Sequence, residues 1–189
     1  MAIDGKTLRR SFDRSREQSP LHVVNAWASE RRLVLGQRCV DSKSNEITAI
    51  PALLDSLALG NTLVTLDAMG CQKDIAQRIV DREADYLLVL KANHGNDYAA
   101  VRSHFERHCF GRGATVRPVL DAFDEGHGRL VRRRVFADPR AASLETLEDW
   151  PRLKTVLAVE AIRSVDGSNK VEAEIRWGQH TSASLNLGF

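Results

Sequence analysis

Two uninterrupted apolar runs, Leu63-Val64-Thr65-Leu66 and Tyr86-Leu87-Leu88-Val89-Leu90, flank a segment with helical spacing. Between them, Lys73 to Ala84 places Ile75, Ala76, Ile79 and Val80 on one helical face. Strand, helix, strand in so short a stretch is a parallel βαβ unit, and its crossover must be right-handed. Apolar runs without alternation predict strands buried on both faces. The first run ends on Asp67, followed by the small, turn-prone Ala68-Met69-Gly70. A carboxylate at the end of a buried strand is costly unless something compensates it. A cap, a salt bridge or a bound metal would each do so.

The remaining chain fits a sheet built around this unit. Residues 21–28 and 33–40 read as two strands of a hairpin turning at Ser29-Glu30-Arg31-Arg32. A polar loop, 42–45, leads into a helix over 46–59, with Ile47, Ile50, Leu53, Leu54 and Leu57 on its face and Gly60 just past its end. Pro51 is expected near the first turn, where proline is tolerated. Asp97 to Cys109 reads as a further amphipathic helix. The C-terminal third changes to strands over 127–138, 155–165 and 170–179, with a helical turn over 142–150 and a turn signal at 166–169. A short strand over 1–5 opens the chain. The fold class is α/β: a mixed sheet with flanking helices and a β-rich C-terminal part.

Composition narrows the function classes. With 189 residues and 43% hydrophobic content, the chain can bury a substantial core. No run approaches the roughly 18 apolar residues of a membrane span, and Met1 to Lys6 has no apolar signal region. A cytoplasmic protein without a membrane partner is expected. Cys39, Cys71 and Cys109 are isolated and read as reduced thiols. The absence of a P-loop or G-x-G-x-x-G leaves nucleotide hydrolysis unsupported. His104 and His108 stand four residues apart beside Cys109, yet zinc needs further ligands, so they read as a solvated helix face. Net charge is only +2, but Lys6, Arg9, Arg10, Arg14 and Arg16 crowd the start, and Arg129, Arg132, Arg133 and Arg134 a later stretch. These runs are either solvated surface or the footprint of nucleic acid.

Asp4 ends the apolar Met1-Ala2-Ile3 just as Asp67 ends the later run. If the two strands are parallel neighbours, about 4.8 Å apart, their carboxylates could share a divalent cation. Two such ions can activate water and stabilise a leaving oxygen in phosphoryl transfer. Alternatively Asp4-Gly5 is a turn and Asp67 caps the helix that follows.

Five segments carry a family resemblance: AIDGKTLRRS, LHVVNAWASE, VLGQRCVDSKSNEITAIPALLDSLAL, VTLDAMGCQKDIAQRIVDREADYLLVLKANH and DEGHGRLVRRRVF. Together they resemble the bacterial insertion-sequence DDE transposases, the group that includes the H-repeat-associated proteins, over about residues 2 to 176. The resemblance implies a ribonuclease H-like fold, Mg²⁺ with Mn²⁺ as an alternative, and double-stranded DNA (element ends and target) as partner. It assigns the first two metal-binding, catalytic acids to Asp4 and Asp67. It makes 43–47 and 68–72 signature loops, and matches Lys91 and Asn93 to a Lys-x-Asn after the last parallel strand. His94 stands where Gln is usual. His127-Gly128-Arg129 matches a basic segment in the β-rich insertion, with Val131 where Glu is usual. Lys6, Arg9, Arg10, Lys91, Asn93, His127, Arg129 and Arg132 become the expected DNA contacts.

The resemblance implies a catalytic core over 1–110, a β-rich insertion over 111–176 and an aberrant, frameshift-like tail over 177–189. The family's helical region before the first acid and its H-W-x-I-E-N-like motif, which carries the third acid, are not found in these 189 residues. Glu106 is the weak candidate for a replacement; Glu125 is another. Three readings follow: a DDE transposase, truncated at both ends and catalytically incomplete; a non-catalytic DNA-binding or dominant-negative remnant acting through mixed oligomers; and a chain that folds poorly because only three residues precede Asp4. Homo-oligomers, or mixed oligomers with a full-length transposase, are the expected assemblies.

Overall fold

The computed structural model describes residues 1–9, 11, 20–40, 46–126, 129–165 and 171–181, without the side chains of 46, 126, 129, 164, 165 and 171. They form two compact units, Met1–Leu88 and Val89–Phe189.

In the first unit, β1 (Ala2–Thr7), β2 (His22–Ala28), β3 (Leu33–Val40), β4 (Leu63–Leu66) and most of β5 (Asp85–Leu90) stand in the order β3-β2-β1-β4-β5. β2 runs antiparallel to β1 and β3, whereas β1, β4 and β5 are parallel. This is the mixed sheet of a ribonuclease H-like fold, with the expected βαβ unit supplying its neighbouring parallel strands β4 and β5. β1 is longer than expected: Asp4 and Gly5 are not a turn but pair with Asn25 and Val24 in mid-strand.

Helices α1 (Glu46–Asp55) and α2 (Lys73–Asp81) cover one face. Ile50, Leu53 and Leu54 from α1 and Ile75, Ala76 and Ile79 from α2 are buried, as are Ile3, Ala26, Val64, Leu66, Tyr86 and Leu88 of the strands. A Cβ on Gly36 would come within 3.1 Å of Leu53, so the helix lies close to β3. α1 ends before Leu59, its last residues closing tighter turns from Ser56 to Leu53 and from Leu57 to Leu54. Pro51 lies in the second turn of this helix rather than the first.

The opposite face differs from the expectation that the parallel strands are buried on both sides. Burial alternates along β4 and β5: Val64, Leu66, Tyr86 and Leu88 are buried, while Thr65 and Leu87 are half-buried and Leu63 is exposed. Trp27 and Val34 are exposed on this outer face too. The apolar sequence runs therefore overstate the burial that the described residues achieve.

In the second unit, β6 (Leu120–Gly126), β7 (Arg129–Asp138), β8 (Thr155–Val165) and β9 (Val171–His180) form consecutive antiparallel neighbours. α3 (Gly95–Phe105) continues through a wider, π-type turn, Glu106–Phe110. Phe105, Phe136, Ala158 and Trp177 form its core, with Phe105 and Trp177 ring centroids 5.4 Å apart. The helical turn expected over 142–150 is two short 3₁₀ segments, Pro139–Ser143 and Glu145–Leu147. β9 runs through 177–180, where Trp177, Gln179 and His180 are buried. The turn expected at 166–169 and residues 182–189 lie outside the described residues. Among the described residues no helix is long and apolar enough to cross a membrane.

Candidate active site

β1 and β4 are parallel neighbours, with Ala2 opposite Thr65 and Ile3 opposite Leu66. Asp4 and Asp67 are the residues that follow this last pair, Asp4 within β1 and Asp67 just past the end of β4. The N-terminal amine of Met1 donates to Leu63 O (2.7 Å), and Thr65 N–H donates to Met1 O (2.8 Å), tying the register from the other end. Ile3 and Leu66 point into the buried core, so alternation turns the acids that follow them outward. Both Asp4 and Asp67 are exposed. Neither forms an ion pair among the described residues.

Asp67 does not cap α2, whose N-cap is Gln72. Its Oδ1 instead accepts from Met69 N–H (3.0 Å) and Gly70 N–H (3.5 Å), folding Ala68-Met69-Gly70 back beneath the strand end. Such a local carboxylate turn is a common role of aspartate. Ala68 is buried, and a Cβ on Gly70 would come within 2.8 Å of the Leu66 side chain. That crowding explains the small residues behind Asp67. One Asp67 oxygen is thereby oriented by the backbone, and Oδ2 lies outside these two bonds.

The donor set suits a hard divalent cation, which prefers carboxylate and water oxygens. Two carboxylates can hold one such ion with water or phosphate completing its shell. Among the described residues no three His, Cys, Asp or Glu side chains gather as a metal-holding group. Glu106 is exposed and accepts from Arg102 Nε at 2.7 Å, one helical turn away. Glu125 is exposed on β6.

Residues 1–164 match the family model described as "Transposase DDE domain". The chain belongs to this DDE transposase family. It is 38% identical to an uncharacterized protein in the dhlA 3′ region of Xanthobacter autotrophicus, over 96% of this chain and 60% of that protein. It is 37% identical to the H repeat-associated putative transposase YhhI of Escherichia coli K12, over 93% of this chain and 46% of YhhI. Identity reaches 51% with the putative transposase YncI of the same strain, over 58% of this chain and 44% of YncI. The chain thus spans about half of the length of the curated relatives it matches. Among solved structures it is similar to piggyBac transposase in a synaptic complex with hairpin DNA, at a TM-score of 0.48 and 10% identity, covering 98% of this chain and 34% of that one.

The other residues expected from the DDE motifs fall in varied places. Lys6, on β1, and Arg9 are exposed. Lys91 and Asn93 are exposed in the turn between β5 and α3. Arg10, Arg14, Arg16, His127, Gly128 and most of the 43–47 loop lie outside the described residues, as does the side chain of Arg129. The later arginine run is internally matched. Arg132 donates to both oxygens of Asp121 (2.8 and 2.6 Å) and stacks over Phe123. Arg133 pairs with Asp124 and Arg134 with Glu160. β6 supplies two of these acids, and no strand was expected there.

His104 is not solvated. Its side chain is 11% exposed and its Nε2 lies 2.8 Å from Asp138 Oδ2. Arg140 donates to Asp138 from its backbone N–H (3.0 Å), Nε (2.9 Å) and Nη2 (2.8 Å). Burial works to raise the Asp138 pKa, but the bonds from Arg140 and His104 outweigh it and bring it to about 2. The turn after β7 creates this partner, which helical spacing alone could not reveal. Burial also holds the neighbouring His108 below its usual value and raises the Cys109 thiol to about 11, so this thiol is not activated. Cys39, Cys71 and Cys109 are not joined in a disulfide.

Proposed function

We propose that this chain carries the first two acids of a DDE transposase site that acts on DNA phosphodiesters, with Asp4 and Asp67 holding a divalent cation. The register of β1 against β4 supports the reading: Ile3 pairs with Leu66, and an exposed aspartate follows each of them. A bound Mg²⁺ or Mn²⁺ would neutralise phosphate charge and lower the pKa of water. The turn amides of Met69 and Gly70 orient Asp67, and Lys6, two residues beyond Asp4 on the same strand face, offers a cation to an adjoining phosphate. Double-stranded DNA is the partner, and the cytoplasm the expected compartment. Whole-transposase cutting and joining requires a third acid, for which Glu106 and Glu125 are the candidates within this sequence.

The lack of a three-acid group among the described residues favours a second reading, a chain that binds DNA without cutting it and joins full-length relatives in mixed oligomers. One experiment separates the two: supercoiled plasmid with Mg²⁺ or Mn²⁺, and fluorescence anisotropy with labelled duplex DNA. Metal-dependent nicking that disappears in Asp4→Ala and Asp67→Ala supports the enzyme. Salt-sensitive binding with no nicking supports the second reading.

A further inference from the structure

Asp4 has a neighbour on its other side that sequence reading passed over. Asn25 stands directly opposite it on β2, and Gln37 stands opposite Asn25 on β3. Directly opposed residues of antiparallel strands share a face, with Cβ atoms about 4.5–5.5 Å apart. Asp4, Asn25 and Gln37 therefore form one polar row across three strands of the outer face, and Asp67 follows the end of the next strand, β4. Asn25 is half-buried, and its chain neighbours Val24 and Ala26 are both fully buried. Asparagine is depleted in strands, so its place in the middle of HVVNAWA goes against local preference. Such violations concentrate where function requires them.

We infer that Asn25 is a positioning residue for Asp4: its side-chain amide orients the Asp4 carboxylate toward Asp67 for cation binding. The inference rests on the reading of Asp4 and Asp67 as metal ligands. The choice of residue type supports it. On β8, Glu160 faces Arg134, which neutralises it. Opposite Asp4 stands a neutral amide, which can donate a hydrogen bond while leaving the negative charge available to a cation. Hydrogen bonds to ligating carboxylates are part of a working metal site.

Mn²⁺ affinity, read by electron paramagnetic resonance on the full chain, tests the role. Asn25→Ala should weaken it by about 10- to 100-fold, the range for loss of such a partner. Asn25→Gln should recover part of it, and Asn25→Asp should exceed wild type by adding a third carboxylate to the row. Gln37→Ala, about two strand spacings or 9.6 Å from Asp4, should change nothing. A second readout needs no metal and no Asn25 variant. The Asn25 side-chain NH₂ resonances should move in Asp4→Asn and stay in place in Asp81→Asn, at the exposed end of α2. Unchanged Mn²⁺ affinity in Asn25→Ala, or amide resonances indifferent to Asp4→Asn, overturns the positioning role. A wild-type chain that takes up no Mn²⁺ defeats the metal reading of Asp4 and Asp67, and with it the purpose assigned to Asn25. The amide resonances then still decide whether the contact exists.

Discussion

The strands of the two units treat their acidic residues in opposite ways. On β6–β9, Asp121, Asp124, Glu160 and Glu174 are each matched with an arginine on the same or a neighbouring strand. In the first unit, Asp4 and Asp67 are exposed and outside any ion pair among the described residues, Asp4 opposite the neutral amide of Asn25 and Asp67 accepting from the N–H groups of its own turn. Matched charges hold an antiparallel sheet in register, each pair contributing modestly. Adjacent carboxylates without a cation repel one another, so a protein retains them at a cost. The contrast distinguishes acids that build from acids available for binding.

The largest expected effect is at that exposed pair. Asp67→Ala should eliminate divalent-cation binding while leaving DNA affinity unchanged or raised, since it removes a negative charge near the phosphates; calorimetry with Mn²⁺ and anisotropy with duplex DNA would show both. A fall in DNA affinity would mean that Asp67 builds the surface instead. Next comes the most buried acid of the other unit. Asp138→Ala leaves Arg140 and His104 without their shared partner and should cost about 3–5 kcal/mol in chemical denaturation. The same carboxylate sets a pH window. Its folded pKa of about 2 lies below the unfolded value near 3.9, so its contribution is present above about pH 4 and lost as pH falls toward 2. Denaturation midpoints that stay level across that window would contradict the bonding around Asp138.

Gly70→Ala should have an intermediate effect. The added methyl meets Leu66 and should destabilise by about 1–3 kcal/mol, displacing Asp67 as well. Mn²⁺ affinity should fall with stability; unaltered affinity would separate the turn from the site. The smallest effect is expected at Arg132. Because Asp121 already engages it, Arg132→Ala should change the salt dependence of DNA binding by much less than the roughly 0.9 per phosphate contact expected for Lys6→Ala. A full unit lost at Arg132 would show that DNA displaces Asp121.

Much of the first unit was legible because its signals are local. The Leu63–Leu66 strand, the hairpin around residues 29–32 and the burial of Ile75, Ala76 and Ile79 follow from runs, turns and periodicity. β6 was missed because Leu120–Gly126 carries two Asp and one Glu, which disfavour strands in isolation. Only the arginines of β7, brought opposite, make that sequence a good edge. His104 was misread for the same reason: its partner Asp138 is 34 residues away.

The sequence by itself determined that a parallel βαβ unit exists, that an acid follows each of two apolar runs, and that the whole resembles DDE transposases. Those are properties of neighbours along the chain. Tertiary structure decided that the two strands are adjacent with Ile3 paired to Leu66, that Asn25 stands opposite Asp4, and that Arg132, Arg133 and Arg134 are already paired. Strand adjacency and register are set by side chains packing across the sheet, and no spacing along the chain encodes which residue will stand opposite.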